Sequence, residues 1–282
     1  MKKLYWSTGL LTLAVSIYYI FIPAFAGSLE VSPVIGIGEF QIRWYGLTMA
    51  AAILAAYLIS RHQSWRFGIS KTDIDDFTFW VILAGLVGAR AYHVLFNLGY
   101  YSANWAESYK IWHGGISIYG AILAGLLFTY FYTRNKAYSF SQLFDVMALG
   151  LPLGQAVGRL GNFFNHEAFG LPTSLPWKMY VPGEYRPAQF LQENFFHPAF
   201  LYEIILNLVI FFILQKLVGK TKSGVLGWIY LGLYSLGRFF VESLRLDSMF
   251  YQGLRVNQVA AILLVVVSGI VILRKQKAQS GI

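Results

Sequence analysis

Val256-Asn-Gln-Val-Ala-Ala-Ile-Leu-Leu-Val-Val-Val-Ser-Gly-Ile-Val-Ile-Leu273 contains no charged side chain, and Arg274, Lys275 and Lys277 follow at once. A helix needs about 20 mostly apolar residues to cross the hydrocarbon of a bilayer. Runs of this kind recur back along the chain, over residues 45–59, 74–96, 116–132, 140–157, 199–217 and 225–244. The chain has 282 residues, of which 57% are hydrophobic and 12% charged. Soluble domains carry about 25% charged residues, and the mean hydropathy here is +0.54. The fold class is therefore an all-α polytopic membrane protein. The spans and their loops use up the length, so residues 27–282 read as one transmembrane domain.

Residues 1–26 stand apart. Lys2 and Lys3 precede an apolar run ending Ala24-Phe25-Ala26-Gly27, which fits an N-terminal helix or a signal peptide. The run exceeds the about 7–15 residues of a signal-peptide core, which favours an uncleaved helix. The net charge of +9 does not point to nucleic acid. Thirteen basic residues (Lys2, Lys3, Arg61, Arg66, Lys71, Arg134, Lys136, Lys216, Lys220, Lys222, Arg274, Lys275, Lys277) fall on one side of this threading. Five (Arg43, Lys110, Lys178, Arg186, Arg255) fall on the other. That asymmetry is the positive-inside signature and orients the chain.

Four arginines remain within spans or at their ends: Arg90, Arg159, Arg238 and Arg245. Each costs about 2.5–3.5 kcal/mol at mid-helix on insertion scales, so each needs a partner or a function. Arg159, Arg238 and Arg245 all lie toward the outer face in this threading. Tyr234, Arg238, Glu242 and Arg245, at i, i+4, i+8 and i+11, share a helix face. Their plain reading is a self-neutralising ion-pair ladder, which is compatible with Glu242 orienting Arg238 toward a phosphate. The guanidinium fork binds phosphate bidentately. Residues 158–170, Gly-Arg-Leu-Gly-Asn-Phe-Phe-Asn-His-Glu-Ala-Phe-Gly, place Arg159, Asn162, Asn165 and Glu167 just past an expected helix end at 157. From there to about 197, proline and aromatics suggest a small extracytoplasmic cap, 159–197. Buried Glu203 needs a partner, and Arg90 is a candidate on cost alone. Gly150, Gly154 and Gly158 are spaced for close helix packing.

The absence of cysteine excludes a disulfide, a thiolate metal site and a thiol nucleophile in this chain. Any reacting thiol belongs to a substrate. His166-Glu167 has no second histidine at helical spacing, so it is not a zinc-protease helix. Ser117 lacks the nucleophile-elbow context. No cofactor or metal site is expected.

Together these segments resemble bacterial prolipoprotein diacylglyceryl transferase. Residues 158–170 match that family's signature, G-R-x-G-N-F-x-N-x-E-x-x-G, at every fixed position. Arg43-Trp44-Tyr45-Gly46, Gly114-Gly115, His197-Pro198 with Leu201-Tyr202-Glu203, and Gly237-Arg238-Phe239-Phe240 with Glu242 and Arg245 add to the match. The resemblance implies a seven-helix core with an extra N-terminal helix or signal. It implies a monomer in the bacterial inner membrane whose site faces the outer leaflet. The implied reaction moves diacylglyceryl from phosphatidylglycerol to the lipobox cysteine of a preprolipoprotein signal peptide, releasing glycerol phosphate. Arg159 and Arg238 would hold the phosphate and Glu242 would orient Arg238. Tyr45, His113, Gly114, Gly115, Asn162, Asn165, Glu167, Gly170, Tyr234 and Arg245 would bind substrate. Tyr119 stands where some members carry a histidine considered as the base for the thiol. It joins the catalytic candidates, while the base itself stays unassigned. A transporter for an anionic lipid or solute is the alternative class, and it predicts an internal repeat that this sequence lacks. A catalytically idle relative is the third reading, kept open by Tyr119.

Overall fold

The computed structural model describes residues 15–37 and 40–277. Lys2, Lys3 and most of the expected N-terminal run lie outside the described residues. From residue 15 the chain is helical, through a π-helical turn at Ile17–Phe21 to Ile22–Ala26, where Gly27 closes it at φ 78°.

Among the described residues seven helices of sixteen residues or more follow. They are α1 (Trp44–Gln63), α2 (Lys71–Phe96), α3 (Ile118–Thr133), α4 (Phe140–Phe164), α5 (Ala199–Leu217), α6 (Val225–Leu244) and α7 (Val256–Lys277). Each expected run falls on one of them. Three, α2, α5 and α7, are long and apolar enough to cross a membrane, and α3 is a shorter apolar helix. Large apolar side chains face outward along these helices, such as Val87, Phe212, Phe240 and Leu263, each about 60% exposed or more. In water such surfaces would aggregate, whereas lipid accepts them.

Two expectations need correction. The all-α reading missed three two-stranded hairpins: Val34–Ile37 with Phe40–Arg43, Met179–Tyr180 with Phe195–Phe196, and Phe250–Tyr251 with Leu254–Arg255. Backbone polar groups between helices must still be paired, and short ladders do this. The second correction concerns α4, which runs to Phe164 rather than 157. The glycines at 158 and 161 look like punctuation, but glycine costs a helix interior only about 1 kcal/mol relative to alanine. They stay helical because they pack. A Cβ on Gly161 would lie 2.6 Å from Thr48 Oγ1, and one on Gly154 would lie 2.8 Å from the Ala52 carbonyl oxygen. The spacing of 154 and 158 thus marks the seam where α4 meets the first half of α1.

The described chain forms two compact units interleaved in sequence. One takes in the residues up to Ala56, Leu151–Lys216 and the chain from Trp228 onward. Its core gathers Phe163, Phe169, Met179, Val181, Phe196 and Phe200, so the segment between α4 and α5 has an apolar centre of its own. The other comprises Tyr57–Gly150 and Leu217–Gly227. There α2 and α3 press together at Gly88 and Gly120, where any Cβ would strike the facing backbone. Buried Asp145 accepts from the backbone N–H groups of Gly224 and Gly227, the latter at 2.8 Å, at the start of α6. A carboxylate there satisfies helix N–H groups that have no partner in the helix and complements the helix dipole.

Candidate active site

Because α4 continues to Phe164, Arg159 and Asn162 sit one turn apart on a rigid helix rather than on a loop. Arg159 Nη1 donates to Asn162 Oδ1 at 3.3 Å, and Asn162 Nδ2 donates to Glu167 Oε1 at 2.8 Å. Asn165 Nδ2 approaches the same oxygen at 3.5 Å. The backbone reverses sharply here, with His166 and Ala168 at φ 51° and 56°. Non-glycine residues rarely adopt this region, which marks strain held by the surroundings. Two hydrogen bonds hold it: Glu167 N to the Asn162 carbonyl at 3.0 Å, and Phe200 N to the Ala168 carbonyl at 3.1 Å. The turn is what carries the Glu167 carboxylate back onto Asn162.

Arg159 also reaches a second carboxylate. Glu203, 1% exposed on α5, lies with Oε2 2.5 Å from Arg159 Nη2. Its Oε1 accepts from Arg238 Nη1 at 2.6 Å and from Arg245 Nη1 at 3.0 Å. Arg238 then places Nη2 2.6 Å from Oε2 of Glu242, its i+4 neighbour on α6. The Arg159–Oε2 and Arg238–Glu242 contacts pair charge without hydrogen-bond alignment. Burying a carboxylate without a cation costs several kcal/mol, about 3–5 when one partner of a pair is removed. Here two buried carboxylates and three arginines, drawn from α4, α5, α6 and the segment after α6, solve that problem jointly.

A rim fixes the cluster from outside. Asn257 Nδ2, on α7, donates to Glu242 Oε1 at 2.9 Å, and Arg255 Nη1 donates to the Glu242 carbonyl. Arg245 commits Nε and Nη2 to the two oxygens of Asp247, at 2.8 and 2.5 Å. Burial raises the Asp247 carboxyl, but the Arg245 fork outweighs it and holds the group below the usual carboxylate range. Gly170 ties these pieces together. It bridges to Arg245 in antiparallel fashion, and its N–H donates to the His197 carbonyl at 2.8 Å. Beside it, His197 Nδ1 lies 3.0 Å from the Tyr202 hydroxyl, which accepts from Trp177 Nε1 at 2.8 Å. Burial holds the His197 imidazole below its usual pKa.

Arg159, Arg238, Glu242, Asn162, Asn165, Glu167, Gly170 and Arg245 therefore all belong to one network in the first unit. In the same unit Tyr45 flanks Gly161, and Tyr234 stacks on Tyr230 with ring centroids 6.0 Å apart. Tyr119, His113, Gly114 and Gly115 belong to the second unit. Tyr119 is half exposed, and its ring lies 6.4 Å from that of Tyr92. His113 Nδ1 and Lys110 Nζ each contact the Glu107 carboxylate at 2.7 Å. Lys110, then His113, hold that carboxyl below its usual range.

The suggested pairing of Glu203 with Arg90 is wrong. Glu203 has the three arginines above, while Arg90 donates to four backbone carbonyls: Glu107, Ser108 at 2.8 Å, Gly114 at 2.6 Å and Gly115 at 2.8 Å. Its guanidinium carbon also lies 5.3 Å from the Tyr101 ring centre. The glycines make this cradle possible, at φ 84° and 74°. An alanine Cβ at 115 would meet Arg90 Nη1 at 2.8 Å and His93 Nε2 at 2.7 Å. Gly115→Ala is expected to destabilise by about 1–3 kcal/mol through overpacking and left-handed strain, read as a lowered unfolding temperature. Gly46→Ala, on a helix with nothing within 4 Å, should be neutral or stabilise by up to about 1 kcal/mol. Equal effects at the two sites would refute the cradle.

Sequence reasoning missed Asn257, Arg255 and Asp247. Asn257 was hidden at the start of an apolar run, and Asp247 lies two residues beyond the arginine it chelates.

Known proteins share this sequence over most of its length. The family model described as prolipoprotein diacylglyceryl transferase matches residues 33–274. The phosphatidylglycerol–prolipoprotein diacylglyceryl transferase of Fervidobacterium nodosum is 46% identical over 260 residues, covering 91% of this chain and 89% of that protein. The protein of the same name from Thermotoga maritima is 42% identical, covering 90% and 88%. That from Acaryochloris marina is 44% identical over 230 residues, covering 80% and 84%.

Proposed function

The chain belongs to the prolipoprotein diacylglyceryl transferase family, and from that premise we propose that Arg159 and Arg238 hold the lipid phosphate during transfer. The protein is a membrane transferase. It moves the diacylglyceryl group of phosphatidylglycerol to a prolipoprotein, the first step of lipoprotein maturation. Sulfur of the lipobox cysteine attacks the glyceryl carbon attached to phosphate. A C–S bond forms, the C–O bond breaks, and the electron pair leaves with glycerol phosphate. Negative charge therefore grows on the phosphate in the transition state, and fixed cations aimed there stabilise it more than they stabilise the substrate.

The observation that carries this reading is the pair of arginines sharing Glu203. Both are oriented by buried carboxylates, yet both keep uncommitted N–H groups and are partly open, at 26% and 18% side-chain exposure. Glu242 and Asn257 steady Arg238, and Asn162 steadies Arg159. Asn165 and Glu167 line the adjoining headgroup space. Arg245, with all three guanidinium nitrogens engaged, braces the cluster. Tyr45 and Tyr234 border the site in this reading. Tyr119 stays among the catalytic candidates and His113, Gly114 and Gly115 among those for substrate binding, and no base for the thiol is assigned. Free cysteine has a pKa of about 8.5, so a few per cent is already thiolate at pH 7. Residues 27–282 act as one seven-helix transferase in the inner membrane, with the segment from the end of α4 at Phe164 to about residue 197 as a cap and the site toward the outer leaflet.

The test is an assay of purified protein in detergent with phosphatidylglycerol and a lipobox peptide. Glycerol phosphate release should match a diacylglyceryl gain in peptide mass. Both signals should vanish when the peptide cysteine becomes serine. Release with the serine peptide, or no release with either, would reject the reading.

A further inference from the structure

We propose that Glu203 is a positioning residue for the transfer: it sets the spacing of Arg159 and Arg238 and decides which of their N–H groups remain for the lipid phosphate. The proposal rests on the phosphate reading above.

Three guanidiniums converge on this one carboxylate, and each meets it differently. Arg245 Nη1 takes Oε1, while its Nε and Nη2 are held by Asp247, leaving the side chain 9% exposed. Arg238 spends Nη1 on Oε1 and turns Nη2 to Glu242. Arg159 lies against Oε2, but its Nη2 hydrogens are not directed at that oxygen. A guanidinium carries five N–H donors in a fixed plane. Arg245 thus spends three of its donors and is the buried brace, while Arg159 and Arg238 spend fewer and are the more open pair.

The carboxylate also fixes a distance. Arg159 and Arg238 sit on the two oxygens of a single carboxylate, whose spacing resembles that of two oxygens on one phosphate. Two cations this close would repel and splay apart without the anion between them. The location of Glu203 is itself determined by the surrounding backbone. It lies in the second turn of α5, whose entry is pinned where His197 pairs with Leu171 at 3.0 Å and with Gly170 at 2.8 Å. Asn207 Nδ2 additionally holds the Glu203 carbonyl at 2.8 Å.

A carboxylate that merely neutralised charge would be replaceable without slowing chemistry. A positioning carboxylate predicts a loss in kcat while the KM for lipid holds, because the arginines remain but no longer meet the transition state. The experiment uses the full chain in detergent with phosphatidylglycerol and a lipobox peptide, measuring kcat, KM and thermal unfolding. Glu203→Gln is expected to lower kcat by about 10–100-fold, the scale of an ångström of misplacement, with KM changed by less than about threefold. Glu203→Asp keeps the charge but is one methylene short, and it should lose about tenfold in kcat. A folded variant with wild-type kcat, or a loss confined to KM, would overturn the proposal. So would failure of both variants to fold, which would make Glu203 scaffold alone. The phosphate reading fails separately, by full activity in both Arg159→Ala and Arg238→Ala.

Discussion

Arg238→Lys should lower kcat/KM by about 10²–10³-fold, the cost of losing one well-placed donor to a developing oxyanion. The substitution keeps the positive charge. It removes the geometry, since Arg238 spans two carboxylates, reaching Glu203 through Nη1 and Glu242 through Nη2, each at 2.6 Å. A single ammonium cannot hold both at those distances and still present a donor outward. Lysine held by Glu203 would leave Glu242, 0% exposed, without its cation, whereas lysine held by Glu242 would leave Glu203 to Arg159 and Arg245 and lose the fixed spacing. An uncompensated buried charge is worth about 3–5 kcal/mol, so part of the loss should appear as reduced thermal stability. Kinetics with phosphatidylglycerol and a lipobox peptide, beside an unfolding curve, separate the two contributions. Full turnover in Arg238→Lys would show that the fork is not needed and that bulk positive charge suffices.

How far this site could be read in advance depends on the range of each contact. Arg238 and Glu242 were legible because four residues on a helix place them side by side. Gly154 was legible because small residues at helical spacing mark a seam. Glu203 was recognisable as a buried charge in need of partners, but its partners were not. They lie on other helices, and cost alone pointed to Arg90. That arginine solves its own burial with carbonyls of residues 107, 108, 114 and 115, an arrangement that side-chain pairing cannot foresee. Its clue was local: two adjacent glycines, able to turn two carbonyls toward one guanidinium. The end of α4 was misjudged for the opposite reason. Gly158 and Gly161 weaken a helix intrinsically, and tertiary packing, of Gly161 against Thr48 and Tyr45 and of Gly158 against Ala52 and Met49, overrode that preference. The error mattered, because it put Arg159 and Asn162 on a loop when they stand on a helix that fixes their spacing.

Gly170→Val should abolish most activity while leaving every charged residue of the cluster in place. Gly170 lies where three chain segments cross. Its N–H reaches the His197 carbonyl, Leu171 N reaches the Leu244 carbonyl at 2.8 Å, and the strand-like bridge runs to Arg245. A Cβ there would sit 2.8 Å from the Leu244 carbonyl oxygen and 3.0 Å from His197 Cβ. The first of these is backbone and cannot swing aside, so the segments must separate. Separation moves Arg245 away from Glu203 on one side and shifts the entry of α5, which carries Glu203, on the other. Overpacking of this kind costs about 1–3 kcal/mol, and an ångström of displacement at the arginines costs about 10²-fold in rate. Gly170→Ala should show the same direction at smaller size. The discriminating comparison is Gly183→Val, in the same inter-helix segment but with nothing within 4 Å of its Cβ position, which should retain wild-type turnover. Equal losses at 170 and 183 would mean that the segment tolerates no added bulk anywhere. The crossing at Gly170 would then have no special hold on the arginine cluster. A loss confined to 170 would place the family's last signature glycine in the machinery through backbone packing, without any contact of its own to the lipid.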